Sequence, residues 1–338
     1  MTKMQCGKQS FRFEQPVYIK SWASVAGKKE AEGPLSKYFD IAQTDSYFGQ
    51  KSWETAENQM QQLALDTLIQ KANIRREDIG ILFSGDLLNQ CIGSSFPLRN
   101  TKIPHIGLYG ACSTMAESLM VASMAVGGGF ADNAIAMTSS HFASSERQYR
   151  FPLGYGGQRT PTAQWTVTGA GAALLSLQGN GPKITGCTVG TVEDLGIQDA
   201  NNMGAAMAPA ALATIRTHFQ DFQTKPEDYD LIITGDLGQL GKEILLTLSQ
   251  KEDLGIGGKL TDCGTLVFDV LKQDVHAGGS GCGCSAITLC GYLLDKLSKK
   301  KLKKILFCGT GALLSPTSSQ QGLPIPGVCH AVVIEGGQ

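Results

Sequence analysis

GLYGACSTMAESLMVASMAVGGG, residues 107–129, is the stretch on which the interpretation of this chain depends. It continues a short predicted strand, His105–Tyr109, and its apolar residues then recur at the spacing of a helix with one buried face: Ala111, Met115, Leu119, Ala122 and Val126. Cys112 stands at the predicted helix N-terminus, where Ser113 is placed to cap the first turn. Free N–H groups and the helix dipole favour a thiolate there. Cys112 is therefore either a nucleophile or an inert buried thiol.

Composition limits the function classes. The 338 residues are 42% hydrophobic and 17% charged, as in a compact globular protein, and 41 glycines predict many tight turns. A net charge of −1 argues against nucleic acid as the main partner. The first residues, MTKMQCGKQSFRFEQP, lack the apolar segment of a signal peptide, and no apolar run reaches the roughly 18 residues of a membrane span. We therefore expect neither a signal peptide nor a transmembrane segment.

Ten cysteines raise the question of disulfides or metal binding. None forms the paired C-x-x-C blocks of a structural zinc site, and a chain of this size needs no disulfide staples. Cys282 and Cys284 lie in one glycine-rich turn without an obvious second ligand pair. We therefore predict reduced thiols and no bound metal or cofactor.

The second half of the chain repeats the first. REDIGILFSGDL, ending at Leu87, matches PEDYDLIITGDL, ending at Leu237. In each half a strand, a glycine turn, a helix and another strand follow. Alternating helices and short β-branched runs predict an α/β fold with mostly parallel sheets. We predict two duplicated βα repeats, residues 1–180 carrying Cys112 and residues 181–338 carrying the turn Gly278–Gly281.

Other local patterns predict single elements. Ser52 is placed to cap a long amphipathic helix from Trp53 to about Lys71, and a first strand is expected over Val17–Ser21. The intervening residues 22–50, and later residues 139–158, are predicted to be irregular or loop.

Further motifs resemble the thiolase and ketoacyl synthase superfamily. WTVTGAGAALLS, residues 165–176, is similar to a glycine motif of ketoacyl synthase III, and CGTGALLS, residues 308–315, to the C-terminal motif of thiolases. The resemblance implies a layered α-β-α-β-α fold, a homodimer, and Cys112 as the acyl-accepting nucleophile. The histidine and asparagine that ketoacyl synthases use are missing from their places here. His276, followed by Ala277 instead of proline, and Cys308 are the remaining candidates for proton carriers.

A narrower resemblance rests on many short segments. GPLSKYFD, GACSTMAES, ERQYRFP, YGGQ, MGAAMAPAA and GGSGCGCSA together resemble the stage V sporulation protein AD family of endospore-forming bacteria. That resemblance implies binding of dipicolinic acid (pyridine-2,6-dicarboxylate), with Ca²⁺ as a complex with the ligand, for uptake into the developing spore. It also implies other stage V sporulation A membrane proteins as partners, and peripheral association with the spore inner membrane in the forespore or spore.

A planar dicarboxylate needs cations or N–H donors on two sides and an apolar slot for its ring. A loop after a core strand supplies charged and polar candidates, Trp165 supplies a ring face, and the two helix-turn regions supply N–H groups. The expected ligand-binding residues are Cys112, His141, Arg147, Gln148, Arg150, Trp165, Asp236, Gly279 and Ser280. Alternatively, Arg147 and Arg150 belong to a solvated loop and pair with Glu146, or they make a dimer contact.

Asp86 and Asp236 occupy equivalent places in the two repeats, each after a strand and a glycine. Such an aspartate commonly fixes the following turn, which is the expected role of both, although Asp236 also lies near the missing histidine. Two other functions stay open. One is an acyltransferase that uses Cys112, and the other is a non-enzymatic scaffold with an unused cleft. The basic run LSKKKLKK, residues 297–304, is expected to be a solvated helix end, and contact with anionic lipid or a membrane partner is the alternative.

Overall fold

The computed structural model describes residues 4–149 and 158–337. The strands within these residues are β1 (Ser10–Ala26), β2 (Ile41–Ala42), β3 (Ile81–Gly85), β4 (His105–Leu108), β5 (Asn133–Ser140), β6 (Trp165–Thr166), β7 (Gly169–Ser176), β8 (Lys183–Thr188), β9 (Leu231–Thr234), β10 (Leu260–Asp262), β11 (Gly279–Ser280), β12 (Lys304–Ala312) and β13 (Gly327–Glu335).

The helices of the same residues are α1 (Lys28–Ala31), α2 (Trp53–Ala72), α3 (Ile92–Leu98), α4 (Thr114–Gly127), α5 (Phe142–Tyr149), α6 (Met203–Phe222), α7 (Gly238–Lys251), α8 (Cys263–Val267), α9 (Cys282–Ile287), α10 (Leu294–Ser298) and α11 (Pro316–Gln320). A π-helical stretch, Thr288–Leu293, joins α9 to α10. Within the described residues, no helix combines the length and the hydropathy that a membrane span requires.

Ten of the thirteen strands in the described residues form two matching sets of five, and β2, β6 and β11 lie outside these sets. The order of the ten along the sheet is β10-β9-β12-β13-β8-β1-β7-β5-β3-β4, so that β4-β3-β5-β7-β1 mirrors β10-β9-β12-β13-β8. In each set the first three strands are parallel and the last two join them in antiparallel fashion. β1 and β8 pair with each other and connect the two sets. The topology confirms the duplicated α/β fold; the division at residues 180 and 181, between β7 and β8, stays a prediction.

Helices α4 and α9 form a central layer between the two sets of strands. α4 packs on β5 and β3 from one set and on β12 and β13 from the other, while α2 and α6 cover the outer faces. One hydrophobic cluster accordingly contains residues of both halves, and two further clusters lie under α2 and under α6. The five layers agree with the α-β-α-β-α arrangement that the resemblance implied.

Four of the five residues on the apolar face predicted for α4 are buried in that helix, whereas the fifth, Ala111, is only partly buried and precedes the helix in a 3₁₀ turn. Met115, Leu119, Ala122 and Val126 are each at most 1% exposed. Small residues let the second half approach closely, since a Cβ atom added at Gly309 would lie 2.5 Å from the Cβ of Ala116. Strand β12 therefore packs directly against the first turn of the Cys112 helix.

The repeated motifs fold alike where they begin. In the first half, a 3₁₀ turn places the Asp78 carboxylate to accept a hydrogen bond from the backbone N–H of Arg75 at 3.1 Å. In the second, Asp228 accepts from Lys225 at 2.9 Å in the same kind of turn. The sequence repeat is thus also a structural one.

Three local expectations need comment. β1 extends over 17 residues and not only over the predicted Val17–Ser21, because it pairs with β7 on one side and with β8 on the other. The segment predicted to be irregular from residue 22 therefore begins only after Ala26. The expected loop 139–158 contains α5. That helix is hydrophilic on average and buries polar Ser144, Ser145 and Glu146, so apolar residues do not mark its buried face in the sequence. The helix after Ser52 is confirmed, with the Ser52 side chain accepting from the N–H of Thr55.

Candidate functional site

Cys112 lies in a 3₁₀ turn, Ala111–Ser113, between β4 and α4. Ala111 takes a left-handed backbone conformation with φ 52°, which brings the thiol toward the molecular centre, and Cys112 is only 5% exposed. Ser113 does not cap the helix as expected. Its backbone is already helical, and its hydroxyl instead donates to the carbonyl of Gly110 at 2.6 Å.

The thiol borders a narrow cavity of about 40 Å³. Its walls come from both halves of the chain, and among the described residues they are Leu87, Ala111, Cys112, Ser145, Glu146, Tyr149, Thr166, Met203, Ser280, Ala312 and Leu314. We call this space the Cys112 cavity. Of the predicted site residues, Cys112 and Ser280 reach it directly.

Asp236 is the polar partner of the thiol. It is fully buried and lies beside the Cys112 thiol. Burial, followed by the charge of Asp236, raises the pKa of Cys112 well above its ordinary value. Burial likewise raises the pKa of Asp236, to about 6. The thiolate that the helix terminus was expected to favour is therefore disfavoured, since desolvation and a neighbouring carboxylate outweigh the dipole.

The same carboxylate uses the donors of the glycine turn. Asp236 accepts from the N–H of Gly281 at 2.8 Å and from the Ser280 hydroxyl at 3.3 Å, and Thr310 donates to its other oxygen at 2.8 Å. The Gly279 carbonyl accepts from the side-chain amide of Gln164 at 2.7 Å. The donors of the turn thus bind an anion of the protein itself, the Asp236 carboxylate.

Cys282 is a neighbour of Cys112 that the sequence analysis did not select. The two thiols belong to one small buried cluster with Leu87, and the Cys282 sulfur donates to the carbonyl of Ser139 at 2.9 Å. All ten cysteines are free. The available signal was the position of Cys282 in the glycine turn, at the start of the helix that is equivalent to α4.

His276 and Cys308 are not brought to Cys112. The Nδ1 of His276 lies 2.6 Å from the carbonyl oxygen of Thr160, and its Nε2 lies 3.1 Å from Asp274. Cys308 is buried in the cluster under α6, beside Cys329. Neither lines the Cys112 cavity, and their proton-carrying roles have no geometry in their favour.

The cationic loop residues also point elsewhere. Arg147 pairs with Glu54 rather than with Glu146, and its guanidinium lies 5.1 Å from the centre of the Trp53 ring. Gln148 donates to the carbonyl of Leu87 at 3.0 Å, at the edge of the cavity, and its side-chain oxygen accepts from the backbone N–H of Asn89. Arg150 lies outside the described residues.

The remaining two predicted ligand residues, His141 and Trp165, line a different cavity. This second space, of about 340 Å³, lies on the other side of β6 and α5 from the Cys112 cavity. We call it the Trp165 groove; its walls among the described residues are Gly27, Lys28, Lys29, Glu30, Glu32, Ser46, Trp53, His141, Phe142, Ala143, Trp165 and Thr168. The structure thus divides the predicted site into two groups.

Comparison with known proteins gives the relationship. The model of the family described as stage V sporulation protein AD matches residues 7–335. Stage V sporulation protein AD of Bacillus subtilis (strain 168) is 46% identical over 329 residues, which are 97% of each chain.

Solved structures with the same fold include a single-residue variant of OleA from Xanthomonas campestris, at 15% identity and TM-score 0.61, covering 96% of this chain and 99% of that one. Another is 3-oxoacyl-[acyl-carrier-protein] synthase III of Aquifex aeolicus VF5, at 13% identity and TM-score 0.56, covering 94% and 99%. At such identities the likeness concerns the fold alone. The family match and the close Bacillus relative go further: this chain belongs to the stage V sporulation protein AD family.

Proposed function

We propose that this sporulation protein binds dipicolinate without turning it over, and so serves its movement into the developing spore. The family supports the sporulation context. The chemistry of the site supports binding without catalysis, in a fold that otherwise houses acyl transfer.

The observation that carries this proposal is the environment of Cys112. A nucleophilic thiol needs a base that takes its proton or a cation that stabilises its charge. Here burial raises the pKa of the thiol, and the negative charge of the neighbouring Asp236 raises it further. Among the described residues, no histidine lines the cavity. The arrangement keeps the thiol protonated.

A backbone donor of the glycine turn that could stabilise a reacting thioester is also engaged. An oxyanion hole needs free N–H groups aimed at the developing charge. The N–H of Gly281 instead donates to Asp236, in a buried network that includes Ser280 and Thr310. The Gly281 N–H at the former acyl-transfer site is thus already used within the protein.

Calcium enters the proposal as part of the ligand. Within the described residues, no group of three or more His, Cys, Asp or Glu side chains is arranged to hold a metal ion. The ion would be carried by the carboxylates of dipicolinate.

We also propose a homodimer and a peripheral position at the spore inner membrane, beside other stage V sporulation A membrane proteins. β4 ends the strand order and leaves one edge unpaired among the described residues. Ile106 on that strand and Tyr109 just after it are 47% and 51% exposed. An apolar, unpaired edge is suited to pairing with a second copy.

Acyl transfer is the second candidate, because Cys112 borders an open cavity at the start of α4. It predicts that a short-chain acyl-CoA transfers its acyl group to Cys112. Mass spectrometry of the wild-type protein and the Cys112→Ser variant decides this, since the proposed binder stays unacylated.

The proposal itself is tested by calorimetric titration of the purified protein with dipicolinate, with and without Ca²⁺. We expect saturable binding of dipicolinate and none of benzene-1,3-dicarboxamide, a planar analogue without charge. Absence of heat with folded protein, with and without Ca²⁺, would refute the function.

A further inference from the structure

Lysines are concentrated at one end of the second half of the molecule. Residues 296–304 contain six lysines and no acidic residue, although the whole chain has a net charge of −1. We propose that this segment, which we name the basic end, binds the surface of a membrane that contains anionic phospholipids. The inference rests on the peripheral membrane position in the proposed function and gives that position a surface.

The backbone of the basic end is fixed by the way in which α10 terminates. The carbonyl of Lys296 accepts from the N–H of Lys301 at 2.8 Å, and the carbonyl of Leu297 accepts from the N–H of Lys300 at 3.1 Å. Lys300 takes a left-handed conformation with φ 56°. These two hydrogen bonds and the left-handed residue form a Schellman motif. The lysines therefore stand on an ordered turn and not on a loose tail.

The two leucines of the segment hold it against the body of the protein. Leu297 is fully buried, and Leu302 packs on the same hydrophobic cluster. Lys300, Lys301 and Lys303, which we name the outer lysines, are exposed. Because both leucines face the core, the basic end offers charge and no apolar side chain for insertion into a bilayer. Its contact with a membrane is therefore electrostatic.

The acidic neighbours of the segment are already engaged. Asp295 pairs with Lys299 at 2.6 Å, and Asp230 accepts from the backbone N–H groups of Lys303 and Lys304 at 2.5 and 3.0 Å. The outer lysines have no ion pair within the part of the chain that the structure describes. Their charges are therefore available to an external anion.

The pairing register places further lysines at the same end of the sheet. Lys304, at the start of β12, pairs with Glu335, which pairs on its other side with Lys183 at the start of β8. Lys259 directly precedes β10, and β9 lies between β10 and β12. One carboxylate thus lies between two lysines there, and the positive surface extends across neighbouring strands.

Screening makes this local charge decisive. At physiological ionic strength the Debye length is about 8 Å, so an exposed charge acts mainly on what lies within that distance. The acidic remainder of the chain therefore opposes contact of the basic end with an anionic surface only weakly.

The composition of the basic end favours a membrane over nucleic acid. The segment contains lysine and no arginine, whose planar guanidinium is better suited to phosphate and nucleic-acid recognition. The rings of Tyr38 and Tyr292 pack edge to face, and the Nζ of Lys296 lies 5.2 Å from both ring centres, so these rings are used inside the protein and not presented to a base. Clusters of roughly four to eight basic residues commonly bind anionic lipid at a membrane surface.

The test is co-sedimentation with vesicles of phosphatidylcholine and phosphatidylglycerol in equal amounts. We expect the wild-type protein to bind these vesicles, to leave them at high salt, and not to bind vesicles of phosphatidylcholine alone. The variant that combines Lys300→Gln, Lys301→Gln and Lys303→Gln should bind about a hundredfold more weakly, as the loss of three lysines near an anionic surface predicts.

A matched control removes three exposed lysines from the first half, by Lys8→Gln, Lys51→Gln and Lys102→Gln. Lys102 has φ 59°, so the control also contains a substitution at a left-handed residue. We expect this variant to bind the vesicles as the wild-type protein does. Thermal melting verifies that both triple variants are folded.

Lys300→Gly decides the question if the triple variant of the basic end does not fold. Glycine adopts the left-handed conformation more readily than lysine, so this variant should be at least as stable as the wild-type protein. Loss of one lysine should nevertheless weaken vesicle binding by about fivefold. Unchanged binding by this variant would contradict the proposal.

Two further outcomes would overturn the proposal. One is a wild-type protein that does not bind the anionic vesicles, or a control variant that loses as much affinity as the variant of the basic end. The other is tighter binding of the wild-type protein to duplex DNA than to the vesicles in the same buffer, which would make the basic end a nucleic-acid site.

Calorimetric titration with dipicolinate keeps this proposal apart from the proposed function. The outer lysines line neither the Cys112 cavity nor the Trp165 groove, so their removal should leave the affinity for dipicolinate unchanged. Failure of the wild-type protein to bind vesicles, with dipicolinate still bound, refutes the membrane surface alone. Failure to bind dipicolinate, with vesicles still bound, refutes the ligand alone.

Discussion

The turns SGDL, residues 84–87, and TGDL, residues 234–237, are almost identical in sequence and do different work. Asp86 binds the segment that directly follows it, where it accepts from the N–H groups of Leu88 and Ser94 at 2.8 and 2.7 Å. Asp236 accepts instead from the glycine turn of its own half and lies beside the Cys112 thiol of the other half.

The turn after Asp236 is fixed by another residue. Asp262 accepts from the N–H groups of Leu237 and Gly238 at 2.8 and 3.0 Å. Once Asp262 holds the turn, Asp236 is released for the site. The two turns thus have similar sequences, but their aspartates have different hydrogen-bond partners.

The largest effect expected from breaking this comparison concerns stability. Asp86→Ala and Asp262→Ala should each lower the free energy of unfolding by about 3 kcal/mol or more, because each leaves at least two buried backbone N–H groups unpaired. Asp236→Ala should cost less, since it frees only one backbone N–H and two hydroxyls that can reorient. Urea unfolding of the three variants measures this. Equal losses for Asp86→Ala and Asp236→Ala would show that these two carboxylates contribute equally to stability.

The next effect is a dependence of stability on pH. The folded Asp236 carboxyl, with its pKa raised from 3.8 to about 6, binds its proton more tightly than in the unfolded chain. Stability should therefore fall as the pH rises through this window, by roughly 3 kcal/mol from this group. Burial raises the pKa values of Glu30 and Asp262 to about 7, with the same sign. Unfolding curves across the window should show a smaller slope for Asp236→Asn, and an unchanged slope would contradict the assignment.

The smallest effect concerns thiol reactivity. Asp236→Asn removes the charge that helps to keep Cys112 protonated, so alkylation of Cys112 should become faster by about tenfold at a given pH. Asp86→Asn is the matched control and should leave that rate unchanged. Peptide mass spectrometry after iodoacetamide treatment assigns the modified cysteine. A similar rate in both variants would mean that desolvation alone sets the reactivity.

The sequence predicted the parts of the fold that have a periodic or repeated signal. The α4 face, the α2 start at Ser52 and the paired motifs around Asp78 and Asp228 are examples. It missed α5, whose buried side chains are largely polar.

The candidate site was less predictable because its residues meet through tertiary packing. The four-residue turns that contain Asp236 and Asp86 are almost identical in sequence, so they do not predict different partners. Asp262 belongs to no motif that predicts its role. Cys282 lies 170 positions from Cys112 in the chain. Arg147 has the charge expected of a carboxylate-binding residue, but it pairs with Glu54 of α2.

The central layer limits how this protein moves. α4 packs on strands of both halves, and β1 and β8 continue one half into the other. Such a body, over the residues that the structure describes, offers no interdomain hinge, so it does not open as two-lobed binding proteins do around their ligands. Access to the Cys112 cavity must then depend on local movements of side chains and surface segments, not on the separation of two lobes.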